Sequence, residues 1–155
     1  MALAVGTPAP EFSTSLDDGR PFRLSDLRGR QELVLFFYPR DFSGGCTKEA
    51  CSFRDRYEEL QAFGAFLLGV SPDADERHVA FRAKHDLPFP LAADPEKRLI
   101  RAYDVSGLFG LRVARVTYVI DREGIIRAAI HKEVQWSSHS ELALEALAQF
   151  RATAP

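Results

Sequence analysis

Two cysteines, Cys46 and Cys51, are the only thiols in this chain of 155 residues, and both lie in the segment FFYPRDFSGGCTKEACSFRD. Deprotonated cysteine is the reactive form of the side chain, both as a nucleophile and as a metal ligand. A chain of this length buries a core large enough to fold without a disulfide. The pair is therefore expected to be catalytic, redox-sensing or metal-binding rather than a structural cross-link.

The position of Cys46 favours a reactive sulfur. Apolar residues recur at steps of three and four over residues 45–63, which predicts a helix with Cys46 at about its third position. Free N–H groups and the positive end of the dipole at a helix N-terminus favour a thiolate. Gly44 and Gly45 allow a close approach of the backbone, and Ser43 supplies a hydroxyl. An ordinary N-cap serine beside an inert cysteine is an alternative that these residues alone leave open.

The spacing of the two cysteines restricts how they can react with each other. Residues five apart in an ideal helix have Cα atoms about 8.7 Å apart, whereas a disulfide requires about 7 Å or less. Cys46 and Cys51 can therefore form a disulfide only if the first turns of the helix unwind. This argues against a permanent disulfide and against a C-x-x-C pair, and it suits a cycle with local unfolding.

The four histidines show no metal-ligand spacing relative to the two cysteines. We therefore predict neither a metal nor a cofactor, and we expect the histidines at the surface: His78, His85, His131 and His139.

The elements that must position the cysteines alternate between strand and helix. Two continuous apolar runs, ELVLFFY and AFLLGVS, predict strands that are buried on both faces. A capping box, Ser138 with Glu141, predicts the start of the last helix. The predicted elements in chain order are strand 32–38, helix 45–63, strand 65–71, helix 72–85 capped by Ser71, short helix 95–103, hairpin strands VTYVID and IIRAAI, and the final helix. This order predicts one thioredoxin-like α/β domain over residues 1–155, with a central mixed sheet and helices on both faces.

The charge balance points to no polyanionic partner. The net charge is −2, without a long block of one sign, so neither nucleic acid nor a membrane is a predicted partner. The N-terminus, MALAVGTPAPEF, lacks the basic region of a secretory signal. We therefore expect a soluble, cytosolic protein.

The cysteine segment resembles the active site of the peroxiredoxins, in particular the atypical two-cysteine Q-type group, also called bacterioferritin comigratory proteins. The family signature is Pro, three residues, Thr or Ser, two residues, then Cys, and it matches Pro39, Ser43 and Cys46; Cys51 matches the second cysteine of the group. PAPEFSTSLDDGRPFRLSDLRG, LLGVSPD and ARVTYVIDREGIIR also resemble family segments, and the last aligns Arg115 with the family's active-site arginine.

The resemblance implies a thiol peroxidase that reduces hydrogen peroxide and organic hydroperoxides. Cys46 is then the peroxidatic nucleophile that becomes a sulfenic acid, and Cys51 resolves it as an intramolecular disulfide. Arg115 and Ser43 bind the peroxide, and Pro39 shields the sulfur. Backbone N–H groups of Gly45 and Cys46 complete the donor set. A dithiol protein such as thioredoxin is the implied reductant, and the Q-type group favours a monomer over a dimer.

The departures from the family pattern are modest. Ser43 replaces the commoner Thr and retains a hydroxyl, whereas Phe42 and Gly44 stand in the loop where Asn or Thr and Pro are commoner. Two alternatives to a peroxidase are a thiol–disulfide oxidoreductase and a non-enzymatic redox sensor. A thiol–disulfide oxidoreductase lacks support because there is no C-x-x-C motif and no proline in RVTYV. A non-enzymatic redox sensor that uses the same unwinding is not excluded by the sequence.

Three further residues have no predicted catalytic role. Glu49 lies one turn after Cys46, where orientation of Arg115 and exposure to solvent are equally consistent with the sequence. Trp136 and Phe109 are expected to pack in the core rather than line a surface for a peroxide or a partner.

Overall fold

A five-stranded mixed sheet forms the centre of the structure, a computed structural model that describes residues 2–107 and 112–153, with side chains described through residue 149. The strands are β1 Ser13–Ser15, β2 Pro21–Arg23, β3 Leu33–Phe37, β4 Phe66–Ser71, β5 Leu91–Ala93, β6 Val116–Ile120 and β7 Ile126–His131. The helices are a 3-10 turn at Leu24–Leu27, α1 Gly44–Asp55, α2 Tyr57–Ala62, α3 Asp75–His85, α4 Arg98–Ala102 and α5 Ser138–Thr153.

The order of the sheet is β5-β4-β3-β6-β7, and β1 and β2 form a separate antiparallel pair. Strand β3 runs parallel to β4 and antiparallel to β6. Phe37, the last residue of β3, pairs with Val116, the first residue of β6. The chain after β3 and the chain before β6 therefore meet at one end of the sheet.

Alternate side chains of β3 point into two different cores. Leu33, Leu35 and Phe37 join the core that contains residues of the N-terminal strands and of α4. Val34 and Phe36 join the core that contains residues of α1, α2, α3 and α5. The ring of Phe36 stacks on Phe53 of α1, with ring centroids 4.4 Å apart. The predicted mixed sheet with helices on both faces is confirmed, and β3 sets the position of α1.

Two predicted helix caps are wrong because their side chains make other bonds. Helix α3 begins at Asp75, since the Ser71 hydroxyl forms a turn with Asp73, accepting from its N–H and donating to its carboxylate. No capping box forms at α5. Ser138 is the first helical residue, and the carboxylate of Glu141 binds Arg56 at 3.0 Å instead.

The predicted helix over residues 45–63 is two helices that are separated at Arg56. The Arg56 guanidinium extends to α5, where it donates to the Ser140 hydroxyl at 3.0 Å. Strand β5 was not predicted. Its three residues lie between Pro90 and the turn at Asp94, so they show no strand periodicity. No helix within the described ranges is both long enough and apolar enough to cross a bilayer.

Candidate active site

Cys46 and Arg115 meet at the end of the sheet where β3 and β6 pair. Cys46 lies in the first turn of α1 and is 1% exposed. Nη1 of Arg115 donates to its sulfur at 3.0 Å, across 69 residues of sequence. A guanidinium in contact with sulfur stabilises a thiolate over a thiol. The helix N-terminus favours the same charge state, so the sulfur is in an environment that suits a nucleophile.

Ser43 is the N-cap of α1. Its hydroxyl accepts from the Cys46 N–H at 3.2 Å and donates to the Arg40 carbonyl at 3.2 Å. The Cys46 N–H is therefore already engaged, in contrast to the prediction that it forms part of the donor set for a peroxide. The capping role that the sequence left open for Ser43 is present in the structure, and a role toward substrate stays a prediction.

A cleft of about 680 Å³ has Pro39, Ser43 and Arg115 in its wall, and the sulfur of Cys46, which is 1% exposed, lies behind this wall in contact with Arg115. The structure therefore brings these three predicted site residues to one opening. Its charged lining residues are Arg40, Lys97, Arg112, Arg115 and Glu133. Cations exceed anions there, although the whole chain carries a net charge of −2. An anionic group in this cleft would be stabilised by the cations around it.

Trp136 forms part of the same cleft, which shows that the prediction of core packing was wrong for this residue. It is half-buried, and its Nε1 donates to the Glu133 carbonyl at 3.1 Å. A Cβ added at Gly45 would lie 2.6 Å from Trp136 Nε1 and 2.9 Å from Arg115 Nη2. Glycine is thus required at position 45 for this arrangement. Phe109, the other aromatic residue of that prediction, lies outside the described residues.

Glu49 is a residue of the site whose burial the sequence did not reveal. It is fully buried, so the alternative of an exposed glutamate is wrong, and neither carboxylate oxygen has a hydrogen-bond partner in the described structure. Burial raises the pKa of Glu49 to about 8, although the charge of Arg115 opposes this shift. The carboxyl group is therefore neutral at neutral pH and leaves the charge of Arg115 available to Cys46.

His139 packs against Glu49, with Nε2 3.3 Å from a carboxylate oxygen. This contact is not a hydrogen bond, since Nε2 donates to the Lys132 carbonyl at 2.8 Å and Nδ1 contacts the Thr117 hydroxyl at 2.7 Å. Burial lowers the pKa of His139, and it is therefore neutral. The Arg115 Nε is also buried without a hydrogen-bond partner among the described residues.

The expectation of four surface histidines is wrong for two of them. His78 and His139 are fully buried, whereas His131 is exposed and His85 is intermediate. Both buried rings use both nitrogens in polar contacts with protein groups, which compensates for their loss of hydration. Within residues 2–107 and 112–153, no group of three or more metal-binding side chains is present.

Cys51 lies on the same helix as Cys46, and both cysteines are free thiols. Helix α1 is continuous from Gly44 to Asp55, so it separates the two Cα atoms by more than a disulfide allows. Cys51 is half-buried, and burial raises the pKa of its thiol. In this state Cys51 is a protonated, poorly nucleophilic thiol, while Cys46 is in contact with a cation.

The arrangement can carry out nucleophilic attack by Cys46 on a bond whose leaving atom acquires negative charge. The guanidinium and the neighbouring cations can stabilise that charge. The cleft opens to solvent at Arg115, the partner of the Cys46 sulfur, and a second thiol lies on the same helix. These are the requirements for reduction of a peroxide by thiols.

Comparison with known proteins points in the same direction. The model of the AhpC/TSA family matches residues 5–129. Peroxiredoxin Bcp of Bacillus subtilis is 43% identical over 130 residues, which cover 80% of this chain and 82% of that protein. The crystal structure of peroxidoxin BcpB from Mycobacterium tuberculosis matches with a TM-score of 0.89 and 33% identity, and covers 96% of this chain and 99% of that chain.

A structure of the Xanthomonas campestris bacterioferritin comigratory protein, described for its alkyl peroxide reduction activity, is also similar. It has a TM-score of 0.81 and 32% identity, and the match covers 90% of this chain and 91% of that chain.

Proposed function

This chain belongs to the AhpC/TSA family and, within it, to the Bcp and Q-type peroxiredoxins, so it is a thiol peroxidase; from this premise we propose how its own residues carry out the reaction. The family implies a peroxide as substrate and a thioredoxin-type dithiol as reductant. Membership of this family favours a peroxidase over a protein thiol–disulfide oxidoreductase and over a non-enzymatic sensor.

In the first step the Cys46 thiolate attacks one oxygen of the peroxide. A sulfur–oxygen bond forms as the oxygen–oxygen bond breaks, and Cys46 becomes a sulfenic acid. The second oxygen leaves with the electron pair of the broken bond and takes up a proton, giving an alcohol or water. The contact of 3.0 Å between Arg115 and the sulfur carries this proposal, because it places a cation where negative charge lies before the reaction and where it develops during it.

Pro39 and Ser43 act at the wall of the cleft. The Ser43 hydroxyl, which bonds the Arg40 carbonyl and the Cys46 N–H in this state, is placed to exchange one of these bonds for one to the peroxide. Pro39 has no N–H and presents an apolar ring to the cleft, which limits access of water to the sulfur. Hydrogen peroxide and organic hydroperoxides are the proposed substrates.

In the second step Cys51 attacks the sulfur of the sulfenic acid. An intramolecular disulfide forms and the hydroxyl leaves as water. This step requires the first turns of α1 to unwind, which also exposes Cys51 and relieves the burial that raises the pKa of its thiol. A reduced dithiol then exchanges with the disulfide, restores both thiols and is itself oxidised. We propose that the enzyme does this as a cytosolic monomer.

The peroxidase cycle is tested by peroxide-dependent oxidation of NADPH through thioredoxin reductase and thioredoxin. Cys46→Ser is expected to abolish turnover with hydrogen peroxide and with an organic hydroperoxide. Cys51→Ser is expected to keep one round of Cys46 oxidation and to lose turnover with thioredoxin. Full turnover in Cys46→Ser contradicts the role of Cys46. Free Cys51 thiol after peroxide treatment of the wild type, measured by mass spectrometry, contradicts its role as the resolving thiol.

A further inference from the structure

The loop between β3 and α1, residues 38–43, is bonded to α3 and to the turn before it through Asp41. This residue is fully buried, and each of its polar groups has a partner. Its N–H donates to Asp73 Oδ2 at 2.7 Å, and its carbonyl accepts from Arg77 at 3.4 Å. Its carboxylate accepts from the Tyr38 hydroxyl at 2.5 Å and contacts His78 Nδ1 at 2.6 Å. The loop is therefore anchored at its middle.

His78 extends this anchor across the fold. It lies on α3 and is fully buried, and its Nε2 is 3.1 Å from the carbonyl of Ala92 in β5. A backbone carbonyl can only accept, so Nε2 carries a proton. The contact of 2.6 Å between Nδ1 and the Asp41 carboxylate joins the two side chains by a hydrogen bond. The pair connects the loop to α3 and, through α3, to the edge of the central sheet.

Phe42 indicates that the loop is held against its own conformational preference. Its φ of 64° lies in the left-handed region, which is unfavourable for a bulky side chain. Its ring packs edge-on against Phe81 at 5.1 Å, and the Arg77 guanidinium lies 5.2 Å from the ring centre. Phe81, Arg77 and His78 all belong to α3. The contacts with this helix therefore maintain the shape of the loop.

The anchor lies between Pro39 and Ser43, which line the cleft together with Arg40. Pro39 and Ser43 are each two residues from Asp41, and both contribute to the wall of the cleft. A misplacement of about 1 Å in groups that align a substrate can reduce a rate by about 100-fold. We propose that Asp41 and His78 are positioning residues for peroxide reduction, because they fix the loop that presents Pro39 and Ser43 beside Cys46. This inference rests on the proposed function.

The test uses a Cys51→Ser background, in which Cys46 is the only thiol. Reduced protein is mixed with hydrogen peroxide, and the fluorescence of Trp136, the single tryptophan, reports oxidation of Cys46. In Asp41→Ala the second-order rate constant is expected to fall by about 10- to 100-fold. Alkylation of Cys46 by iodoacetamide needs no aligned peroxide, so its rate is expected to stay within about threefold.

Asp41→Asn is the conservative variant. Its amide can accept from the Tyr38 hydroxyl and donate to Nδ1 of His78, so the anchor persists and the peroxide rate is expected within about threefold of wild type. Asp121→Ala is the matched control. Asp121 is also a buried carboxylate with several bonds, to the N–H groups of Glu123 and Ile125 and to Arg127, but it follows β6 at the opposite end of the sheet. The Asp121→Ala substitution should lower Tm without slowing the peroxide reaction.

Three outcomes would overturn the proposal. These are an unchanged peroxide rate in Asp41→Ala, a parallel fall in the alkylation rate, and an equal fall in Asp121→Ala. If Asp41→Ala does not fold, Tyr38→Phe is used instead, because it removes one hydrogen bond of the anchor. An unchanged peroxide rate in Tyr38→Phe would also overturn the proposal. Residual peroxidase activity in Cys46→Ser would instead contradict the proposed function. If Asp41→Ala reacts with peroxide at the wild-type rate while Cys46→Ser is inactive, the positioning role is contradicted and the proposed function is not.

Discussion

At the scale of single residues, the reactivity of Cys46 depends on which charges compete for Arg115. Glu49 and His139 are the two buried titratable groups close to it, and burial makes both of them neutral at neutral pH. Desolvation raises the pKa of the acid and lowers that of the base, so the same physical cause neutralises both. The guanidinium therefore acts on the sulfur rather than in an internal ion pair.

Glu49→Gln is expected to flatten the pH dependence of stability. The native protein keeps a proton on Glu49 up to a pKa of about 8, whereas the unfolded chain releases it near 4.5. The free energy of unfolding of the wild type therefore falls as pH rises through this window, by up to about 1.4 kcal/mol per pH unit. Urea unfolding between about pH 5 and about pH 8 measures this slope.

The control for this experiment is Glu145→Gln, which removes an exposed carboxyl from α5. Its slope is expected to match that of the wild type. If the free energy of unfolding changed equally with pH in the wild type and in Glu49→Gln, Glu49 would be ionised in the native protein at neutral pH. It would then compete with Cys46 for Arg115.

Gly45→Ala is expected to slow the oxidation of Cys46 by peroxide by about 10-fold or more. The added methyl group must displace both the indole of Trp136 and the guanidinium of Arg115, since atoms of both lie within 3 Å of its position. Gly44→Ala is the matched control, because a Cβ at that position has no atom within 4 Å. Stopped-flow measurement of both variants makes the comparison, and equal rates would show that the indole and guanidinium move without consequence.

At the scale of the secondary structure, the C-terminal end of α1 is held by polar contacts with α5 and by an aromatic contact with β3. The Ser52 and Ser140 hydroxyls bond to each other, and Arg56 donates to both at 3.0 Å and to Glu141 at 3.0 Å. The ring of Phe53 is fully buried against Phe36. Both cysteines precede this cluster, so the part of α1 that must unwind is bounded on its C-terminal side.

Hydrogen exchange should locate this boundary. On oxidation to the Cys46–Cys51 disulfide, amides of residues 44–51 are expected to lose protection, while amides from Phe53 onward keep it because their contacts with α5 and β3 persist. Ser140→Ala weakens the cluster and is expected to move the boundary toward Arg56. Protection that is unchanged in residues 44–51 of the oxidised protein would contradict unwinding.

The elements that the sequence predicted are those whose local pattern is strong. Strands β3, β4 and β6 are continuous apolar runs, and α1 has a clear helical period, so their existence follows from composition. The break at Arg56 and the late start of α3 follow from bonds to Ser140 and Asp73, which no local pattern contains. Strand β5 exists because β4 offers it a free edge.

At the scale of the whole molecule, charge is distributed unevenly. The chain has 20 basic and 22 acidic residues, yet the cleft beside Cys46 is lined by four cations and one carboxylate. Three of these cations, Arg40, Lys97 and Arg112, come from separate parts of the chain. The local potential in the cleft is therefore positive although the protein as a whole is weakly negative.

Ionic strength should distinguish charged from neutral substrates. A hydroperoxide that bears a carboxylate is expected to react several-fold more slowly when salt rises from about 20 to about 500 mM, because screening weakens attraction by the cleft. Hydrogen peroxide is neutral and serves as the control, with a rate that changes little. Lys97→Ala should reduce the effect of salt on the rate with the hydroperoxide that bears a carboxylate, and should leave the rate with hydrogen peroxide unchanged. Equal salt effects on both substrates would exclude attraction by the cleft.

The sequence by itself determined the two thiols, their separation along a helix and the alternating elements that place that helix after a buried strand. Those features are local, since periodicity and spacing depend on neighbouring residues. Resemblance to the peroxiredoxins added Arg115, which lies 69 residues from Cys46. Only the tertiary structure decided that Glu49, His139, Asp41 and His78 are buried. Burial depends on which elements exclude water from these groups, and those elements are distant in the chain; for Glu49 and His139 it also sets the direction of the pKa shift.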